Sequence, residues 1–300
     1  MVAKGHCELV KTKMALGIAQ INPRLGDLEA NFSVYEKYLH QVKGHSLDLL
    51  VFPELSLTGY HLRDMVPAVA LRLDSPEIAR LKELSLAVPF VAGLVEESTD
   101  YRFYNTAIYL AGGEIRHIHR KVYLPTYGMF DEQRYFARGE HICAFDAPFG
   151  RASLLVCEDL WHPSTAYLAA LDRALLIICP SASPLRGISD GESQDDNARY
   201  WELLNRMYAE TFSLFVVYAN RVGFEDGVGF WGGSEIIDPL GHRLVKGRYY
   251  EEDLIMAELS LDTVRRKRIA SPLLRDEDVD LTIRELVRIR EHAEKKERPE

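Results

Sequence analysis

RASLLVCEDLWHP, residues 151–163, sets the reading of the whole chain. An apolar run of strand length breaks off at Cys157. Two acids follow, and then a Trp-His-Pro turn that leads into a helical pattern from about Thr165. A continuous apolar run, unlike an alternating one, marks a strand covered on both faces. The next apolar run, ALLIICPSA at 174–182, completes a strand–helix–strand unit. The same grammar recurs upstream. MALGIAQINP (14–23) reads as a buried strand that stops at an Asn-Pro turn signal. A helix from about Leu28 to Val42 follows, with Leu28, Phe32, Tyr35 and Leu39 on one face. After it comes the strand LDLLVFPE (47–54), then a helix near Pro76–Ala87 and the strand PFVAGLVEE (89–97). Downstream lie a helix over about Gln194–Phe212 and the strands SLFVVYANRVG (213–223) and DLIMAEL (253–259).

Hairpins interrupt this alternation. TAIYLAGGEIRHIHRKVYL (106–124) reads as two strands joined at Gly112-Gly113, and GGSEIIDPLGHRLV (232–245) turns at Asp238–Gly241. Alternating strands and helices broken by hairpins imply an α/β sandwich with mixed sheets, not a purely parallel doubly wound sheet. The expected organisation is one domain over residues 14–260, preceded by a leader at 1–13. A charged tail, 261–300, ends in a helix near Asp278–Lys296. That tail reads equally well as an interface element or as a solvated surface helix.

Composition narrows the function classes. Of the 300 residues 47% are apolar and 27% charged, which is globular and not disordered. The formal net charge of −9 argues against a nucleic-acid partner, which would require a basic stripe. Four cysteines without CxxC spacing argue for free thiols and against a zinc site. The ten histidines are scattered, no HExxH is present, and no glycine-rich phosphate loop opens a helix, so neither a metal nor a cofactor is expected. No window reaches the ~20 apolar residues of a membrane helix, and the first residues lack a signal-peptide core. A cytoplasmic protein without membrane contact is the expectation.

Three segments end a strand with a reactive side chain: Glu54 in VFPELSLTGY (51–60), Lys121 with Glu132 in HRKVYLPTYGMFDEQRYF (119–136), and Cys157. A thiolate is a strong nucleophile toward an acyl carbon, a desolvated carboxylate can take its proton, and an ammonium can hold the oxyanion that forms. These groups suffice for amide hydrolysis without a metal. Each has a plainer reading. A strand-end cysteine is commonly a small buried hydrophobe, and such a glutamate or lysine is commonly solvated. Spacing alone does not bring the three together.

In order along the chain, PELSLTGY, HRKVYLP and LLVCEDLWHP resemble the glutamate, lysine and cysteine blocks of the nitrilase superfamily of carbon–nitrogen hydrolases. GIAQINPRLGDLEAN (17–31) resembles that family's first strand and helix, and VVYANRVGFEDGVGFWGGSEIIDPLG (216–241) its last strands. The resemblance implies a four-layer α-β-β-α sandwich, a thioester mechanism and a homodimer or higher homo-oligomer. It assigns Glu54 as general base and Lys121 as oxyanion partner together with the N–H after Cys157. By the same resemblance Cys157 would be the nucleophile, and Glu132 the second glutamate that positions amine or water.

YLPTYGMFDEQRYF (123–136) and CEDLWHP (157–163) are most similar to the glutaminase domain of glutamine-dependent NAD synthetases. By that resemblance Glu158 would hold a substrate amino group, although it can also be read as a helix N-terminal acid favoured by the dipole. SASPLRG (181–187) is shorter than the glutaminase loop and lacks its lysine, a departure that argues against glutamine. Arg186 is a candidate for a substrate carboxylate, or a loop arginine in solvent. Tyr127, Phe130 and Trp161 are candidate pocket walls. No ATP-binding SGGxDS-type loop is present, so the fused synthetase reaction is not expected. The substrate is expected to be a small-molecule amide. The alternatives are an N-carbamoyl amine, glutamine with ammonia passed to a separate synthetase, or a non-catalytic scaffold.

Overall fold

The computed structural model describes residues 12–185 and 194–296, with the side chains of 194–196 and 294–296 left out of the description. In the first half, strands β1 (Lys13–Gln20), β2 (Leu49–Val51), β3 (Phe90–Glu97), β4 (Phe103–Ala111) and β5 (Glu114–Arg120) alternate with helices. These are α1 (Leu28–Val42), α2 (Val66–Val69) and α3 (Pro76–Leu84). The second half has α4 (Glu132–Tyr135), β6 (Ala144–Ala147), β7 (Gly150–Leu154), α5 (Glu158–Trp161), α6 (Pro163–Leu171), β8 (Leu176–Ser181), α7 (Gln194–Phe212) and β9 (Phe215–Asn220). It closes with β10 (Val222–Glu225), β11 (Val228–Trp231), β12 (Glu235–Ile237), β13 (Arg243–Lys246), β14 (Asp253–Ser260), α8 (Asp262–Ala270) and α9 (Val279–Lys296).

Two six-stranded sheets result, ordered β14-β1-β2-β3-β4-β5 and β13-β12-β9-β8-β7-β6, with β10 and β11 as a separate ribbon. In each, a parallel centre (β1-β2-β3; β9-β8-β7) carries antiparallel strands at its flanks. Buried parallel strands explain the apolar runs; hairpins supply the edges β5, β6 and β13, and β14 returns from the far end of the chain to pair with β1. Gly112 and Gly113 make the β4–β5 turn at φ 61° and 80°, with Ala111 paired to Glu114. Two successive positive φ values suit the right-handed strand twist, and glycine adopts them without a Cβ clash.

Three apolar layers hold these elements. Leu16, Ile18, Val51 and Val91 of the first sheet meet Leu154, Ile178, Val217 and Ile236 of the second. Burying one such side chain contributes about 1.5–3 kcal/mol. The outer face of the first sheet packs on α1 and α3. Phe32, Tyr35, Leu39 and Val42 line the buried face of α1 at helical spacing, and Tyr35 stacks on Phe52 with ring centroids 3.8 Å apart. Asp27 caps α1 by accepting the Ala30 N–H at 3.0 Å, a contact typically contributing about 1 kcal/mol. The outer face of the second sheet packs on α6 and α7 through Ala166, Ala169, Trp201 and Tyr208. The architecture is therefore an α-β-β-α sandwich. Leu261 and Val264, at the start of the charged C-terminal segment, belong to the layer between the sheets.

Some boundaries differ from the sequence reading. The run 47–54 gives a strand of only three residues, because Pro53 has no N–H to extend the ladder. The strand before Cys157 stops at Leu154, and the short helix α5, which sequence patterning did not resolve, opens directly after the cysteine.

Candidate active site

Each sheet delivers its groups from the carboxyl ends of its strands. From the first sheet, Pro53 and Glu54 leave β2 under β3. Gly93 makes this possible: a Cβ there would lie 2.4 Å from Leu55 N and 2.6 Å from the Pro53 carbonyl oxygen. Lys121 follows β5 directly and is held by donating its backbone N–H to the Asn105 carbonyl at 2.9 Å. From the second sheet, Cys157 follows β7, with its N–H donated to the Pro180 carbonyl at 3.0 Å. Cys157 has φ 45° and ψ −102°, a conformation that L residues rarely adopt. Strain of this kind costs about 1–3 kcal/mol and persists only where the surroundings over-determine it.

Glu54, Lys121 and Glu132 meet in one buried cluster. Lys121 Nζ donates to Glu54 Oε1 and to Glu132 Oε1, both at 2.7 Å, and the three side chains are 0–6% exposed. Glu54 is held further: Asn105 Nδ2 donates to Oε1 at 2.7 Å, and the Ala182 N–H, from the end of β8, donates to Oε2 at 2.8 Å. The Tyr60 hydroxyl donates to Glu132 Oε1 at 2.5 Å. Glu132 Oε2 is buried with no hydrogen-bond partner among the described residues.

The charges shape one another. Burial works against the Lys121 ammonium, but the carboxylates of Glu132 and Glu54 more than offset it and hold its pKa well above the usual value. Burial pushes Glu132 up to about 7, against Lys121 and with Glu54. Cys157 is partly buried, and desolvation followed by the Glu54 charge pushes its thiol well above the usual range, with Lys121 opposing. Cys157 thus lies within electrostatic reach of Glu54 and Lys121, and its burial disfavours a free thiolate.

Glu158 opens α5, so its N–H is one of the first-turn amides that lack an intrahelical acceptor. Its carboxylate accepts the Tyr127 hydroxyl at 2.8 Å, with His162 Nε2 at 3.8 Å, and burial raises its pKa. Phe130 packs edge-on to both Tyr60 and Tyr127. Beside Glu132 lies a cavity of about 370 Å³ lined in part by Tyr60, His61, Arg63, Phe130 and Arg134. Trp161 stacks on Tyr200 and meets Trp201 edge-on, at the packing layer of α7. Arg186 lies outside the described residues. Among those residues no group of three or more His, Cys, Asp and Glu side chains could hold a metal, and no helix is long and apolar enough to cross a membrane.

Patterning missed three contributors. Asn105 and Ala182 carry no reactive signature and act through an amide group and a backbone N–H. The Tyr60 hydroxyl had a signal, since it ends the glutamate block, but its reach to Glu132 is tertiary.

Several known proteins are similar to this chain in sequence or in fold. A glutamine-dependent NAD(+) synthetase of Thermotoga maritima is 32% identical over 265 residues, 87% of this chain and 44% of that protein. This chain thus spans less than half the length of that relative. A chloroplastic omega-amidase of Arabidopsis thaliana is 27% identical over 285 residues, 90% of this chain and 74% of that protein. The crystal structure of a carbon-nitrogen hydrolase from Helicobacter pylori G27 superposes with a TM-score of 0.80 at 25% identity, covering 90% of this chain and 96% of the other. The carbon-nitrogen hydrolase family profile matches residues 15–269, from the first strand through α8 and across every group of the cluster. With the Glu54–Lys121–Glu132 cluster in place beside Cys157, that match makes the chain an enzyme of the carbon-nitrogen hydrolase family, within the nitrilase superfamily.

Proposed function

We propose that the protein hydrolyses the carboxamide of a small molecule to a carboxylate and ammonia through a thioester on Cys157. The observation that carries this reading is the Lys121 ammonium held at 2.7 Å from both Glu54 and Glu132 in a buried site electrostatically coupled to Cys157. Glu54 takes the thiol proton as sulfur attacks the amide carbon. Because burial disfavours a free thiolate, proton transfer and attack are coupled. Lys121 Nζ and the Glu158 N–H receive the oxyanion, an interaction worth roughly 10²–10³ in rate per donor. Collapse breaks the C–N bond, and Glu54 returns its proton to the departing nitrogen. Water, deprotonated by Glu54 and oriented by the free oxygen of Glu132, attacks the thioester. The C–S bond breaks and sulfur recovers the proton.

The Glu158 carboxylate, fixed by Tyr127 inside the site, favours substrates with a cationic amino group, and through it the second reading of an ammonia-supplying glutaminase. The T. maritima relative's name supports that reading too. The exposed Leu168, Tyr200, Leu203 and Met207 on α6 and α7 support pairing of two copies through this face. Ammonia release from glutamine, asparagine, ω-amides of dicarboxylic acids, N-carbamoyl amines and aliphatic amides is the deciding measurement. Cys157→Ala should abolish turnover of whichever amide reacts while the fold survives. A variant that keeps full turnover would falsify the thioester route.

A further inference from the structure

Asp159 lies two residues beyond the nucleophile and is fully buried. It does not join the cluster around Lys121. Its Oδ1 accepts the N–H groups of Val122 and Tyr123, both at 2.9 Å. Its Oδ2 accepts the Val156 N–H at 3.0 Å and meets His119 Nε2 at 2.8 Å. An ionised carboxylate offers only acceptors, so the buried His119 must present its Nε2 proton to Asp159. The four donors have a pattern. Val156 immediately precedes Cys157, Val122 and Tyr123 immediately follow Lys121, and His119 stands two residues before that lysine. One carboxylate therefore ties the turn carrying the sulfur on the second sheet to the strand end carrying the ammonium on the first.

Resting on the reading of Cys157 as nucleophile and Lys121 as oxyanion partner, we infer that Asp159 is a positioning residue that sets the separation and aim of these two groups. The two segments come from different sheets, and no backbone hydrogen bond joins Val156 or Cys157 to residues 119–123 among the described residues. The strained backbone of Cys157 requires such an anchor, since a residue in a sparsely populated conformation relaxes unless its neighbours are fixed. Buried charge-assisted bonds are short and directional, which suits a carboxylate with four donors to this task.

The test is Asp159→Asn, which keeps shape but turns an N–H pair toward groups that are themselves donors. Three quantities are read: the rate of Cys157 alkylation by iodoacetamide, followed by mass spectrometry; kcat and KM for ammonia release from the panel amide that the parent turns over; and the circular-dichroism melt. Misplacement by an ångström costs on the order of a hundredfold, so alkylation rate and kcat should each fall by about tenfold or more with KM nearly unchanged. A folded variant with both rates at the parental level, or with its whole loss in KM, overturns the inference. Should Asp159→Asn not fold, His119→Leu removes one donor only and should slow alkylation by a few fold; a parental rate there also overturns it. Reactive parental Cys157 with an indifferent variant sinks the clamp alone. A parent whose Cys157 is as sluggish as Cys143 and that releases no ammonia sinks the catalytic reading and the clamp with it.

Discussion

Tyr60 and Lys121 converge on a single oxygen of Glu132, at 2.5 Å and 2.7 Å. The hydroxyl bond holds the Glu132 pKa down, against the burial that lifts it to about 7. Tyr60→Phe removes that restraint, so Glu132 should ionise only at still higher pH. If its carboxylate form orients the amine or water, the rising limb of the kcat profile should move upward. A hydrogen bond to a charged group is worth about 1.5–3 kcal/mol, so kcat near neutrality should fall on the order of tenfold. An unmoved limb in the pH-rate profile would separate Tyr60 from this role.

The backbone at Cys157 can be tested apart from its sulfur. Cys157→Ala and Cys157→Gly both lack the thiol, and only glycine is at ease with φ 45° and ψ −102°. Glycine usually costs about 0.5–1 kcal/mol in regular structure through its unfolded-state freedom. Here relief of strain should outweigh that cost, leaving Cys157→Gly about 1 kcal/mol more stable than Cys157→Ala in urea titrations. The reverse order would mean that the elbow is unstrained.

Gly93 offers a test of how Glu54 is placed. A methyl group at 93 would press on backbone atoms of Pro53 and Leu55, which cannot swing aside as a side chain would. Gly93→Ala should destabilise the protein by about 1–3 kcal/mol and depress kcat through the displaced carboxylate. Full activity with parental stability would show that β3 and the Glu54 turn can separate freely.

His117, stacked on Phe145 at 4.2 Å, is held neutral by burial and then by repulsion from His119, its pKa lowered to about 4. Its ordinary value is 6.5. Below that pH the unfolded chain takes a proton that the folded chain refuses, so this group removes stability progressively from pH 6.5 down to about 4, and no further below. Glu132, raised from 4.5 to about 7, acts oppositely: its contribution is full below 4.5 and is lost as pH rises through about 7. Comparing His117→Phe with the parent isolates the histidine, and the variant should lose less stability between neutral pH and pH 4. Parallel pH curves for the two proteins would remove His117 as the cause.

The legible parts of the molecule were those written in local pattern. The apolar run at 176–178 announced a buried strand, and Gly112-Gly113 announced a hairpin, because these features depend on near neighbours. The sandwich, and the Glu54, Lys121 and Glu132 assignments, came from the resemblance of three short blocks, since spacing of 67 residues between Glu54 and Lys121 says nothing about distance in space. The structure brings those two to 2.7 Å. The supports were illegible for a different reason. Asn105 contributes an amide, Ala182 a backbone N–H, and Asp159 a carboxylate that reads in sequence as one more acid at a helix start. Asn105 reaches Glu54 once β4 has paired beside β3, while Ala182 and Asp159 act only once the two sheets are stacked.

That stacking has its own consequence. Glu54 and Lys121 ride on one sheet and Cys157 on the other, so the groups proposed to react stand on opposite sides of a slip plane filled by Leu16, Val51, Leu154 and Ile178. The grease between the sheets is therefore also a gauge block: its thickness fixes how far sulfur stands from its carboxylate. Shaving a methylene from that layer, far from any substrate, lets the plates creep, and catalysis should register the creep before the fold gives way.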